Sequence, residues 1–200
     1  MKKIAIILTT LALYAFSSLS GGGNDITDIL EIQAENPFVR RIPPGSSPLT
    51  DRGFTGFKEA IGFKESQNNY FRINSLGYVG KYQFGASTLA LLGIKNTGTF
   101  LRNPRLQERA FRRYCRYNKW VLRDEISKYA GKQINGIIIT ESGILAAAHL
   151  AGAGKVRKYL KEQGRGKTII DAYGTTVDHY LNEFAGYDLS ALTPIRNPRL

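Results

Sequence analysis

One glutamate in this chain stands where a proton-transferring group would be useful. Helical spacing places Phe57, Ile61 and Glu65 on one i, i+4 row, so a row that faces the core ends in a carboxylate. Phe63, Tyr70 and Phe71 crowd the same acid along the sequence. A carboxyl at the end of an apolar face is expected to hold its proton more tightly, because burial disfavours the charged form. A general acid for glycoside cleavage needs that property, since it must carry a proton near neutral pH. On these residues alone a plainer alternative is the commoner one. Most single glutamates are not catalytic, and Glu65 could simply finish the helix or pair with an arginine.

The remaining acids decide what kind of chemistry Glu65 could do. Ordinary glycosidases work with two carboxyl groups, an acid and a nucleophile or base. No Asp or Glu lies between Glu65 and Gln83. Glu59 precedes Glu65 on the same helix at about 240° of rotation, so it faces elsewhere. Glu141 follows Thr140 at a predicted helix start, where the helix dipole accounts for it. Asp171 precedes Ala-Tyr-Gly and reads as a turn residue rather than a base. The pattern is that of a single-carboxylate site.

Three segments in order carry a resemblance. They are Glu65-Ser66, then Gly80-Lys81-Tyr82-Gln83-Phe84, then Ala148-His149-Leu150-Ala151-Gly152. Together they resemble the lysozyme-like lytic transglycosylase superfamily, which includes goose-type lysozymes and soluble lytic transglycosylase-like domains. In that family a helix ends in Glu-Ser, a Gly-x-x-Gln segment leads into the next helix, and an Ala-Tyr-Asn-Ala-Gly motif lines the same cleft. The likeness spans about residues 54–185. It implies a mainly α fold, a lysozyme-like helical domain with a substrate groove and a small loop or hairpin region.

The implied activity is cleavage of the β-1,4 bond between N-acetylmuramic acid and N-acetylglucosamine in peptidoglycan. By the resemblance Glu65 is the catalytic acid, with Ser66, Tyr82, Gln83, His149 and Tyr180 as substrate-binding positions. Tyr180 corresponds to a tyrosine near the end of the domain that sits close to the acid. The implied route needs one carboxyl group: Glu65 protonates the leaving oxygen, then takes a proton from the muramoyl 6-hydroxyl as that oxygen closes on C1. A 1,6-anhydro end results and no water is consumed. Some relatives hydrolyse the bond instead.

Two departures from the family bear on subsite preference. His149 and Leu150 replace the usual Tyr-Asn pair, and Lys81-Tyr82 stands where many relatives carry smaller or aliphatic residues. In so apolar a helix, His149 suits substrate contact and a packed, hydrogen-bonded core histidine equally well.

The elements that must position these residues read as mostly helical. Apolar spacing predicts helices over 57–65, 85–92, 103–130 and 155–163, with a loop or small strand pair over 66–82. Asn135-Gly136 predicts a hairpin within 132–139. Thr140 caps a very apolar helix, and Thr175 or Thr176 caps another over VDHYLNEF. Residues 1–20 read as a signal peptide: Lys2 and Lys3 precede the apolar run Ile4 to Phe16, which falls short of the roughly 20 residues a membrane span needs. Residues 21–53 read as a flexible segment and Pro-rich linker, 54–187 as the catalytic domain and 188–200 as a tail.

Composition supplies the setting. The chain has 200 residues, 42% of them hydrophobic, and a net charge of +12. That length suits one domain with appendages, and the charge favours polyanionic partners. With one Cys and two His, neither a disulfide framework nor a Cys/His metal site is expected, and no cofactor. Arg105, Arg109, Arg112, Arg116, Lys119 and Arg123 fall on one face of the long helix. That face would either be plainly solvated or attach the protein to anionic cell-wall polymer. The export segment points to the periplasm or outside, and so to glycan strands rather than nucleic acid as partner, with no membrane span left after signal cleavage. The same features leave open a hydrolytic muramidase, or a non-catalytic cell-wall-binding or secretion-apparatus component.

Overall fold

Helix caps and apolar spacing set most of the architecture. The computed structural model describes residues 51–165 and 174–200. Residues 1–20, all but the end of the 21–53 segment, and Asp171 lie outside the described residues. Among the described residues the chain is mainly helical, with a single two-stranded sheet. In chain order it forms α1 (Phe54–Ser66), α2 (Ala86–Leu91), α3 (Thr97–Leu101), α4 (Pro104–Val121), α5 (Arg123–Tyr129), β1 (Gln133–Ile134), β2 (Ile137–Ile138), α6 (Glu141–Ala151), α7 (Ala153–Lys161) and α8 (Val177–Glu183).

Several starts follow from side chains that accept from free backbone N–H groups. Asn103 accepts from Leu106, Thr140 from Gly143, and Thr176 from His179. Asn96 does the same for Thr99 and starts the short α3, which apolar spacing had not predicted. Asn135 and Gly136 both take positive φ, and the strands pair antiparallel with Gln133 opposite Ile138.

The helix expected over 103–130 is broken. Leu122, fully buried, interrupts it between α4 and α5. At the break, Arg157 of α7 donates from Nη2 to the Val121 carbonyl at 2.6 Å and from Nε to the buried Glu125 at 2.9 Å. No local pattern around Leu122 announces a partner so far along the chain.

Helix α6 is the central element. Ser142 to Ala148 are all buried, and the helix packs against α4, α7 and α8. Gly143 allows the closest approach, since a Cβ there would lie 2.4 Å from the Leu181 carbonyl oxygen of α8. Phe57 of α1 sits among the rings of Phe54, Phe111, Phe184 and Tyr187. The segment 188–200, expected as a tail, belongs to the packed structure. Leu189 and Leu192 are buried, and the amides of Ile195 and Leu200 donate to Arg116 and Leu92.

Candidate active site around Glu65

Glu65 lies in the last turn of α1 and keeps part of its surface open. Its Oε1 accepts from the Tyr180 hydroxyl at 2.8 Å, a contact across 115 residues of chain. Tyr180 is buried on α8 with its ring against Phe184, 5.0 Å between centroids. Thr176 starts α8 and Gly143 lets α8 lie close on α6, so the cap and the helix crossing together deliver the tyrosine to the acid. A second link between α1 and α8 stands beside the first, with Lys64 paired to Glu183 at 2.8 Å and His179 to the same carboxylate at 2.7 Å.

Two of the expected substrate-binding residues are enclosed by the packed structure. Tyr82 is fully buried: its ring stacks on Phe111 at 4.0 Å and its hydroxyl donates to Glu108 at 2.8 Å. Ser66 is buried as well, and its hydroxyl donates to the Lys81 carbonyl at 2.7 Å. Both hydroxyls are committed to partners inside the protein. Gln83 has φ +47°, a left-handed conformation uncommon outside glycine. Its Nε2 donates to the Gly80 carbonyl at 2.8 Å, which leaves Oε1 as its uncommitted polar atom.

His149 matches the packed reading. Its ring meets Phe84, Phe111 and Tyr114 edge to face, and Nε2 lies 2.9 Å from the Tyr82 carbonyl. Nδ1 is buried without a partner. Burial pushes the imidazole pKa down, against the pull of the Glu65 charge and the Tyr82 carbonyl.

Sequence reasoning missed a buried ion cluster behind the site. Lys81, whose side chain is 2% exposed, binds Glu59 at 2.9 Å and Glu108 at 3.0 Å. Lys58 pairs with the same two acids, and the Tyr70 and Tyr82 hydroxyls donate to Glu108. Burial alone would raise the carboxyl pKa of Glu108; Lys58, Lys81 and Tyr70 outweigh it and hold it at about 2. Burial likewise opposes the net fall at Glu59, which its bonds to Lys58 and Lys81 produce. A faint signal was present in Gly62, where a Cβ would lie 2.5 Å from the Lys81 stem. Glu59 is therefore engaged away from Glu65, and Glu141 is paired with Lys119 at 2.7 Å.

Gln67 ends α1 as a left-handed C-cap, and Asn68 and Gln83 also have positive φ. Phe71, Ile73, Leu76 and Tyr78 are exposed in the stretch between α1 and Gln83, and Phe63 is exposed on α1 itself. A cleft of about 790 Å³ runs along the outer stripe of α1, with Phe63, Lys64, Gln67 and Glu183 in its lining; Glu65 is not among the lining residues. Among the described residues no group of His, Cys, Asp and Glu side chains comes together as a metal site, and no helix is long and apolar enough to cross a membrane.

The six cations expected on one helix divide between α4 and, for Arg123, α5, and they are partly committed. Arg116 donates to the Thr193 carbonyl, Lys119 pairs with Glu141, and Arg112 and Arg123 lie over the rings of Phe54 and Trp120. Arg105, Arg109, Arg112 and Arg123 remain exposed. No family model matches the chain, and no curated protein or solved structure matches it.

Proposed function

We propose that this chain is an exported lytic transglycosylase of lysozyme-like fold. It cleaves the β-1,4 bond between N-acetylmuramic acid and N-acetylglucosamine in peptidoglycan, with Glu65 as its single acid/base. The observation that carries this reading is the Tyr180–Glu65 contact. A tyrosine hydroxyl that holds one carboxylate oxygen fixes the group's direction and leaves the other oxygen to exchange a proton with a ligand. The resemblance in the sequence requires a tyrosine near this acid, and folding brings one there from 115 residues away.

The other acids favour the anhydro-forming route. Glu59, Glu108, Glu125, Glu141 and Glu183 are each paired with Lys, Arg or His. With these five carboxyl groups engaged elsewhere, Glu65 acts first as acid and then as base. It donates its proton to the leaving glycosidic oxygen and recovers one from the muramoyl 6-hydroxyl as that oxygen bonds to C1. The substrate's acetamido group stabilises the cationic stage. Exposed Phe63, Phe71 and Tyr78 offer apolar surface to sugar faces and acetamido methyl groups.

The test is a wall-clearing assay with wild type and Glu65→Gln, followed by mass analysis of the fragments. Loss of general acid–base catalysis is worth about 10²–10⁴-fold, so the variant should clear sacculi at a small fraction of the wild-type rate. Undiminished lysis by Glu65→Gln rejects the assignment. Anhydro ends are one water lighter than the reducing ends a hydrolytic muramidase would leave. Wild type that co-sediments with sacculi but releases no fragments would instead mark a wall-binding component.

A further inference from the structure

His149 does more than fill space in the core. A carbonyl oxygen only accepts, so the 2.9 Å contact with Tyr82 O requires a proton on His149 Nε2. A second proton on Nδ1 would be a buried donor with no acceptor, walled by Phe84, Phe111 and Tyr114. The ionisable groups that bear on the ring are Glu65 from α1, Tyr114 from α4 and Tyr82 from the loop. The ring is therefore neutral and held in one tautomer.

Three backbone groups of Lys81 and Tyr82 are each held by a different helix. Gln107 of α4 accepts from the Lys81 N–H at 2.8 Å, Ser66 of α1 donates to the Lys81 carbonyl at 2.7 Å, and His149 of α6 donates to the Tyr82 carbonyl. The next residue is Gln83, in its left-handed conformation. A strained non-glycine backbone persists only where its surroundings over-determine it. His149 supplies the last of these ties, at a position where the resembling family carries tyrosine.

We infer that His149 is a positioning residue: through its Nε2–H it clamps the Tyr82 carbonyl and so keeps Gln83 in the conformation that presents its amide oxygen to the glycan. This rests on the function proposed above. Without the clamp, the buried Tyr82 carbonyl loses its partner and Gln83 relaxes to an ordinary backbone.

The full chain provides the test. Nitrogen-15 spectra of histidine-labelled wild type should show the Nε2–H tautomer at pH 7; an Nδ1–H tautomer or an imidazolium overturns the inference. His149→Gln places an amide N–H near the position of Nε2 and should keep most of the cleavage rate. His149→Phe keeps the volume without the donor and should lose roughly tenfold in kcat/KM, the order expected for one buried carbonyl left unpaired. Equal losses in both variants, or none in His149→Phe, overturn it. The Gln83 backbone amide resonance provides a readout that needs no activity: it should shift in His149→Phe and return in His149→Gln. A chain that fails to cut glycan but shows that shift rejects the enzyme and keeps the clamp. If His149→Phe does not fold, the wild-type tautomer and the Gln83 resonance in His149→Gln decide.

Discussion

At the residue scale, the central question is what one hydrogen bond to Glu65 is worth. Tyr180→Phe removes the hydroxyl and keeps the ring against Phe184, so the fold should be unaffected. A hydrogen bond to a charged group contributes about 1.5–3 kcal/mol when buried. Glu65 is only partly buried, so kcat should fall about tenfold, with KM nearly unchanged because the tyrosine is behind the acid. Steady-state kinetics on soluble glycan fragments measures this, and an unchanged kcat would remove Tyr180 from the machinery. Two other residues set the pH dependence of stability. Burial holds the folded pKa of His149 below the ordinary imidazole value of 6.5, so the unfolded chain takes up a proton there first. Its stabilisation is present above pH 6.5 and is lost as pH falls through its folded pKa. Glu108 acts in a lower window: its stabilisation is present above 4.5 and is lost as pH falls towards 2. Urea midpoints measured from pH 8 downward should decline below 6.5 in wild type and stay flatter in His149→Gln, with a second decline common to both below 4.5.

At the element scale, the crossing of α6 and α8 places the site. A Cβ on Gly143 would meet the Leu181 backbone oxygen at 2.4 Å, and a backbone atom cannot turn aside as a side-chain tip can. Gly143→Ala should therefore push α8 outward at a cost of about 1–3 kcal/mol, the usual range for overpacking. A melting point lower by about 2–4 °C per kcal/mol would register this. Because Tyr180 rides on α8, cleavage at a temperature where the variant is still folded should fall too. Melting unchanged from wild type would show that the helices have room to spare. Elements of this kind were partly legible in the sequence. Thr140, Thr176 and Asn103 announce their helices because a cap is a local contact, and Asn135-Gly136 announces its hairpin for the same reason. Glu65 and Tyr180 were found through family likeness, and the geometry brings them together. The break at Leu122 was hidden because the partner that takes up the Val121 carbonyl there, Arg157, comes from another helix. The burial of Tyr82 was hidden because a loop has no periodicity to tell an inward ring from an outward one. The ion cluster on Lys81 was hidden because a lysine in sequence gives no sign of burial.

At the scale of the whole molecule, a net charge of +12 acts through its field, while individual cations are occupied locally. Arg116 and Lys119, expected to face the wall polymer, hold residues 188–193 and Glu141 to α4 instead. Under the proposed function, attraction to an anionic wall would fall to the exposed part of the face and to the remaining excess of Lys and Arg. Two consequences separate field from contact. Association of Glu65→Gln protein with purified sacculi should be fast at low ionic strength and slow steeply near 0.15 M, where the screening length is about 8 Å. Arg109 is exposed on α4, so Arg109→Glu should slow association a few-fold at low salt and make little difference at high salt, with the rate of dissociation nearly unchanged. A specific docking site centred on Arg109 would behave differently: dissociation would speed up, and the difference would persist at high salt. Binding rates that ignore salt altogether would remove electrostatic attachment from the account, and leave the glycan contacts near Glu65 to hold the protein on the wall.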